Sequence, residues 1–529
     1  LASVPIDRTA VRAPSLGVRA VNVLAALHRY VGTALCVVFL AWFASGIVMM
    51  YAGYPLLGEQ EKLERTPPLE VTSALLPHEA WRSAGGVLAP SHVRIVQREG
   101  EPVYVFATRG DGWVSVAAAD GRVLPPLTAS AAERSAAQFA PSAGRLQYAG
   151  LRTEPDQWTM FALWAPYMSD YSFAPFHKFA AADPAGTEIS VLASTGDVVQ
   201  ETTRRERFWG YVGAVVHWIY PTILRRNAAA WADVVVWTSG LGTALCLTGV
   251  VIGLVRLRWR RAPRAAGSPY RGWLKWHHYI GLVFGTLACT WVFSGLLSMD
   301  PWGWSLTDDT PDGSHQEVMR GGELDLAAFT AAPAGAVAAC NAELATKELR
   351  LVQLRGEPFY WCVESPRRSL LVSARAGQNA RPVAQLAAAT LTVAARALAP
   401  GHSITESSLL EDYDAYYYPG WYDKLVNGAS KRLPVLRVRF DDPSATTVYI
   451  DPYSASPVLA YDTSARWFRW LFHGLHSFDF GGLYRSRPLW DVIVLPLLLG
   501  GVLLSGTGVW VGFKWLARKW RMARRSVPG

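Results

Sequence analysis

Charge is scarce in this chain: Asp, Glu, Lys and Arg make up 18% of its 529 residues, against a hydrophobic share of 51%. A chain so apolar is not a polyelectrolyte, and no segment has the polar, low-complexity character of a disordered tail. Neither a G-x-G-x-x-G turn nor a phosphate-binding loop is present, which excludes an attached nucleotide-dependent module of the usual kinds. Cysteine is rare. Of five, Cys36, Cys246 and Cys289 fall in apolar runs as small inert residues, leaving Cys340 and Cys362 as the one pair able to form an external disulfide.

What the chain has instead is long uncharged runs. Residues 31–50 (VGTALCVVFLAWFASGIVMM), 234–255, 279–299 and 492–513 contain no charge, and a run of about 20 apolar residues suits a helix crossing about 30 Å of hydrocarbon. Four spans are therefore expected. The first exceeds the apolar core of a secretory leader and is expected to be retained. Arginine and lysine set the orientation: the stretches before the first span, between the second and third, and after the fourth hold seventeen of them against one acid, Asp7. These stretches are expected to be cytoplasmic. The remainder of the chain is net acidic, so the overall +9 charge reports topology and not a nucleic-acid partner.

Internal similarity organises the rest. His28, Tyr30, Gly32, Trp42, Ser45, Gly46 and Met50 recur as His277, Tyr279, Gly281, Trp291, Ser294, Gly295 and Met299, 249 residues later. RIVQREGEP (94–102) matches RLVQLRGEP (350–358) at an offset of 256. Asp183-Pro184, Arg207, His217 and Thr248-Gly249 match Asp442-Pro443, Arg466, His476 and Thr507-Gly508 at 259. The chain thus reads as a tandem duplication: a cytoplasmic N-terminus (1–27), a span (28–51), an outer domain (52–206), a histidine-bearing interfacial helix (207–224), a span (231–256) and a cytoplasmic basic loop (257–275). A second span (276–299), outer domain (300–465), interfacial helix (466–480) and span (489–516) follow, then a cytoplasmic basic tail (517–529). Two spans per unit make the repeats parallel, related by an axis along the membrane normal.

Alternating runs such as VRIVQREGEPVYVFA (93–107), LRVRFDD (436–442) and TTVYIDP (446–452) predict antiparallel strands in the outer domains. Ala-rich 326–346 and 383–399 predict helices. The fold class is a membrane helical bundle of four spans and two interfacial helices, carrying two α+β outer domains.

Histidine is the residue to explain. An ionisable side chain at membrane depth is costly and usually has a partner and a task. Each repeat keeps one histidine at each membrane face, so His28 is expected to meet His277 at the cytoplasmic end and His217 to meet His476 at the outer end. Helical spacing puts Trp209, Gly213, His217 and Tyr220 on one stripe, and Phe468, Phe472, His473 and His476 on its counterpart. Imidazoles facing each other in pairs suit the axial positions of haem. Two pairs imply two haems, and with no C-x-x-C-H stretch they are b-type. Zinc or copper on His473 and His476 competes, but no carboxylate or thiolate cluster accompanies them. His277 and His278 point about 100° apart on a helix, so one of them ligates; the repeat favours His277. His278 and His473 are assigned to a propionate or to assistance at the outer site, with exchange of either pair of roles left open. The glycines of the spans fit close approach of helices or of a flat macrocycle.

The HR-Y-x-G opening with its later S-G, the stretch LPVLRVRFDDPSATTVYIDPYSASPV (433–458) and the closing T-G-V-W (507–510) resemble the PepSY-associated transmembrane family, whose members include inner-membrane ferric-siderophore reductases. The resemblance implies a bacterial inner-membrane protein with PepSY-like periplasmic domains and two b haems. It further implies a haem-dependent oxidoreductase of iron uptake, passing electrons from a cytoplasmic or quinol donor to a ferric siderophore or other iron chelate in the periplasm. No catalytic side chain is assigned apart from the ligands. The aromatic stretches Trp164–His177 and Tyr416–Tyr422 are the docking candidates, with His177 a substrate contact. Membrane lipid is the other partner. Two different classes compete: a non-redox PepSY-type binding or regulatory protein, and a transporter, which would need midplane polar residues that the spans almost entirely lack.

Overall fold

The structure, a computed structural model, describes residues 16–108, 112–159, 175–257, 267–303, 313–378, 381–420 and 431–525. Among them, four helices are long and apolar enough to cross a membrane: α1 Leu16–Met49, α2 Ala228–Arg256, α3 Trp273–Leu297 and α4 Leu489–Arg525. An unbroken helix satisfies its own backbone polar groups, which lipid cannot. α1 and α3 each pack against both α2 and α4, closing a four-helix ring around Phe39, Phe43, Leu245, Trp291, Val292 and Leu498. Two glycines set the helix spacing, because a Cβ at Gly500 or Gly501 would overlap the rings of Phe284 and Phe43.

Fourteen antiparallel strands are described outside the ring. β1 His92–Arg98, β2 Glu101–Thr108 and β3 Gly112–Ala117 come from the first outer segment, as do β4 Leu146–Arg152, β5 Phe176–Ala181, β6 Glu188–Leu192 and β7 Val198–Thr202. The second segment supplies β8 Glu348–Leu354, β9 Glu357–Ser365, β10 Arg368–Ser373, β11 Ile404–Leu410, β12 Val435–Phe440, β13 Thr447–Asp451 and β14 Ser456–Tyr461. Two four-stranded sheets keep to their own halves, β4-β5-β6-β7 and β11-β12-β13-β14. Each buries the apolar face of one helix: Ala132, Ala136 and Phe139 against Phe179, Ile189 and Val191 in the first, Leu391 and Ala395 against Val438, Val448 and Ile450 in the second.

The third sheet belongs to both halves. Its order is β10-β9-β8-β1-β2-β3, so the two outer segments, each expected to enclose its own core, share one. β1 and β8 pair antiparallel with Arg94 opposite Arg350, and like charges placed so repel. Acids offset the repulsion. Glu348 lies 2.9 Å from Arg94 and 2.8 Å from Arg350, Glu59 lies 2.7 Å from Arg350, and Asp197 takes both Arg94 and Lys62. Burial opposes ionisation of Glu348, yet Arg350 and Arg94 outweigh it and hold the carboxyl down at about 2. Asp197 is likewise held well below the carboxylate range, by Arg94 and Lys62 against its burial.

Local structure departs from the sequence pattern in places. The Ala-rich stretches form only short pieces, Leu326–Ala328 and Pro333–Asn341 in one, Ala388–Ala395 and Arg396–Leu398 in the other, because the rest of each serves as loop to reach the sheets. Cys340 and Cys362 form a disulfide beneath the shared sheet.

The histidine-bearing segments are helices of one turn-rich type. Residues 204–217 and 463–477 are each continuously helical, with a π-helical stretch at Tyr211–Val215 and at Arg469–Gly474. Thr203 caps the first, in a reciprocal box with Glu206, and Asp462 caps the second. Both stop at a residue in the left-handed region, Ile219 (φ 50°) and Phe478 (φ 51°), again 259 apart. The π turns shift the faces, so Trp209 points out to the surface while Gly213 and Tyr220 are buried. The stripe expected from regular spacing is broken there.

Candidate functional site

Where α1 and α3 leave the helix ring, the two short helices bring His217 and His476 together. Their ring centres are 6.0 Å apart with the planes at 69°. His217 Nδ1 lies 3.1 Å from the Trp42 carbonyl and 3.1 Å from Ser45 Oγ. His476 Nδ1 lies 3.1 Å from the Trp291 carbonyl and 3.1 Å from Ser294 Oγ. A carbonyl only accepts, so each Nδ1 carries the proton and each Nε2 keeps its lone pair.

At the far end of the ring, His28 and His277 repeat the anchoring of Nδ1. His28 Nδ1 donates to the Leu245 carbonyl at 3.1 Å, with Thr248 Oγ1 at 3.3 Å, and His277 Nδ1 lies 3.0 Å from Thr507 Oγ1. Both hydroxyls already donate backwards, Thr248 to Leu245 and Thr507 to Leu504, and so accept from the imidazoles. In all four histidines Nδ1 is tied to a neighbouring helix and Nε2 makes no hydrogen bond among the described residues.

Each ring also rests against a glycine. A Cβ at Gly249 would lie 2.7 Å from His28 Cε1; the distances at Gly295, Gly508 and Gly46 to His476, His277 and His217 are 3.3, 3.5 and 3.7 Å. These four glycines therefore serve the imidazoles, whereas Gly500 and Gly501 serve helix packing. Sequence reasoning singled out the repeated Ser45/Ser294 and Thr248/Thr507 but gave them no role; their recurrence directly before the repeated glycines was the available signal.

The remaining expected residues lie elsewhere. His278 is buried, with Nδ1 2.8 Å from Ser268 Oγ and Nε2 2.9 Å from the Gly253 carbonyl, so both nitrogens are engaged. His473 packs its ring against Phe468 and Phe472, at 5.5 and 4.9 Å. His177, expected at a substrate surface, is 5% exposed inside the β4-β5-β6-β7 unit, bonded to the Leu127 carbonyl and Tyr148 hydroxyl; a strand side chain on the inner face has no route to solvent. Of the aromatic docking stretches, 164–174 and 421–422 fall outside the described residues.

Chemically, a neutral imidazole with a fixed tautomer and a free Nε2 is a metal ligand whose second nitrogen is already oriented. A metal–imidazole bond is about 2 Å and a ring centre sits about 1 Å behind its nitrogen, so two imidazoles on opposite sides of one ion have centres about 6 Å apart. The His217–His476 separation meets that requirement. Glycine beside each ring leaves room for a flat group, and the apolar walls of Phe39, Phe43 and Trp291 lie between the two pairs.

No curated protein matches the chain. The family model described as the PepSY-associated TM region matches residues 25–511, nearly all of it, and the chain belongs to that family.

Proposed function

We propose that this member of the PepSY-associated TM family is a transmembrane electron-transfer protein with two b-type haems, His28 and His277 holding one and His217 and His476 the other, and that it reduces a ferric siderophore or similar iron chelate on the outer side. The observation that carries the proposal is the fourfold recurrence of one arrangement, Nδ1 anchored and Nε2 free, in two pairs drawn from both halves of the chain. A haem supplies a one-electron iron couple at each pair when bound. The protein's part is to orient the ligands: the Trp42 and Trp291 carbonyls hold the outer imidazoles, and Leu245 and Thr507 hold the inner ones. The helix ring keeps water away from the space between.

In this reading the basic ends are cytoplasmic, helices 204–217 and 463–477 lie at the outer interface of a bacterial inner membrane, and the sheets are periplasmic. The halves are then parallel repeats about an axis along the membrane normal. The positive-inside distribution of Arg and Lys supports the orientation, as does the Cys340–Cys362 disulfide, which suits an oxidising compartment. Reduction weakens the grip of hard oxygen ligands on iron, so release follows.

Haem per chain tests the scheme directly. The purified protein should carry two, with a reducible b-type spectrum, and His28→Ala and His217→Ala should each carry one. A colourless, fully folded preparation, or unchanged stoichiometry in both variants, would overturn it in favour of a binding or regulatory membrane protein.

A further inference from the structure

In the second half, strands β12 and β13, the end of β14 and the first turn of helix 463–477 line a cavity of about 200 Å³. Its walls carry the guanidiniums of Arg437, Arg439 and Arg466 and the phenols of Tyr416, Tyr449 and Tyr461, with Asp414 the single acid among the described lining residues.

The first half carries the same frame with its charges balanced. Across β5–β6, Lys178 faces Ser190 and Ala180 faces Glu188; 259 residues on, across β12–β13, Arg437 faces Tyr449 and Arg439 faces Thr447. The loop aspartates also correspond. Asp156 accepts from Trp158 N and Thr159 N and pairs with Lys178, and Asp414 accepts from Tyr416 N and Tyr417 N and pairs with Arg437. In the first half Glu188 stands between two cations, 2.7 Å from Lys178 and 3.2 Å from Arg207, and with Asp156 it balances them. In the second half Thr447 replaces that acid, Arg439 replaces Ala180, and Tyr449 and Tyr461 replace Ser190 and Thr202. Glu406 at the rim pairs with Arg437 and Arg439. Arg466 is held by neutral acceptors, the Ser444 and Ala445 carbonyls and Thr447 Oγ1. Cationic charge is thus left in surplus where the cavity opens.

We propose that this cavity binds an oxygen-rich organic polyanion, a polycarboxylate about the size of citrate. Guanidinium forks match carboxylates two oxygens at a time, three of them spread around the walls suit several carboxylates on one molecule, and the phenols add donors between. An inorganic phosphate would fill only a fraction of the space. The cavity is tied to the outer histidine pair, because Arg466 and Trp470 share the helix of His476 and Trp470 Nε1 donates to Tyr416 Oη at 3.3 Å. That the polyanion is the ligand shell of the iron chelate rests on the electron-transfer reading above; that the cavity takes a polycarboxylate does not.

Calorimetric titration of the full-length purified protein with citrate tests it, alongside haem content. Citrate should bind, more weakly as salt rises. Arg439→Gln, at a half-exposed position, should weaken binding at least tenfold, and Thr447→Glu, which restores the acid found at position 188, should abolish it, both with haem content unchanged. Absence of citrate binding, equal binding of inorganic phosphate, or binding unaltered in both variants would overturn the proposal while leaving the haem count to judge electron transfer by itself. Citrate binding lost in the variants of a protein that carries no haem would support the site and remove the electron-transfer reading.

Discussion

At the scale of single residues, the decisive features are a ring nitrogen and the hydrogen that replaces a methyl. The four histidines and their spacing were legible in the sequence because the repeat aligned them. Which nitrogen each presents was not, since that follows from carbonyls and hydroxyls on other helices. His278 spends both nitrogens on Ser268 and Gly253, whereas His277 keeps Nε2 unbonded among the described residues. Glycine beside His28 makes the sharpest prediction. Gly249→Val should displace the imidazole, destabilise the protein by about 1–3 kcal/mol as overpacking does, and lower bound haem by one per chain. Gly506→Ala, with nothing within 4 Å of the new methyl, should change neither thermal midpoint nor haem content.

At the scale of elements, the short histidine helices depend on their caps. Thr203 and Asp462 each accept a backbone N–H three residues on, and replacing either by alanine should cost about 1 kcal/mol, read as faster amide exchange in 204–217 or 463–477 respectively and not in the other. Both helices were expected from sequence, at 207–224 and 466–480, but their caps were not, and each begins three residues earlier, the first ending at 217 ahead of a separate turn Thr222–Arg225. Nor were the π turns: regular 3.6-residue periodicity placed Trp209 beside His217, and the extra residue per turn carries it to the surface. Strand register behaves differently. Alternation announced β12 and β13, and register alone then put Arg439 opposite Thr447, where the first half has Ala180 opposite Glu188.

At the scale of the molecule, the two halves are joined above the helix ring by the β1–β8 pairing and its buried charges. Glu348 is 3% exposed between Arg94 and Arg350. Glu348→Ala would leave Arg94 to Asp197 and Arg350 to Glu59 alone and should cost about 1–3 kcal/mol, as loss of one partner of a charged hydrogen bond does, measured as a fall in the thermal midpoint. Acid should act on the same seam. Because the folded carboxyl of Glu348 is depressed from 4.5 to about 2, its contribution is complete above pH 4.5 and is lost as pH falls toward about 2. The thermal midpoint of the wild type should therefore drop through that window more steeply than that of a Glu348→Gln variant.

By itself the sequence determined four long apolar helices, the recurrence of its own motifs, the strand-rich segments between the helices and the four histidines, because apolar length, alternation and recurrence are properties of the chain read in order. Only the tertiary structure decided the joint sheet, the anchoring of each imidazole and the unequal charge balance of the two corresponding strand frames. Those rest on groups hundreds of residues apart meeting at hydrogen-bond distance, and no local pattern encodes which of them will meet.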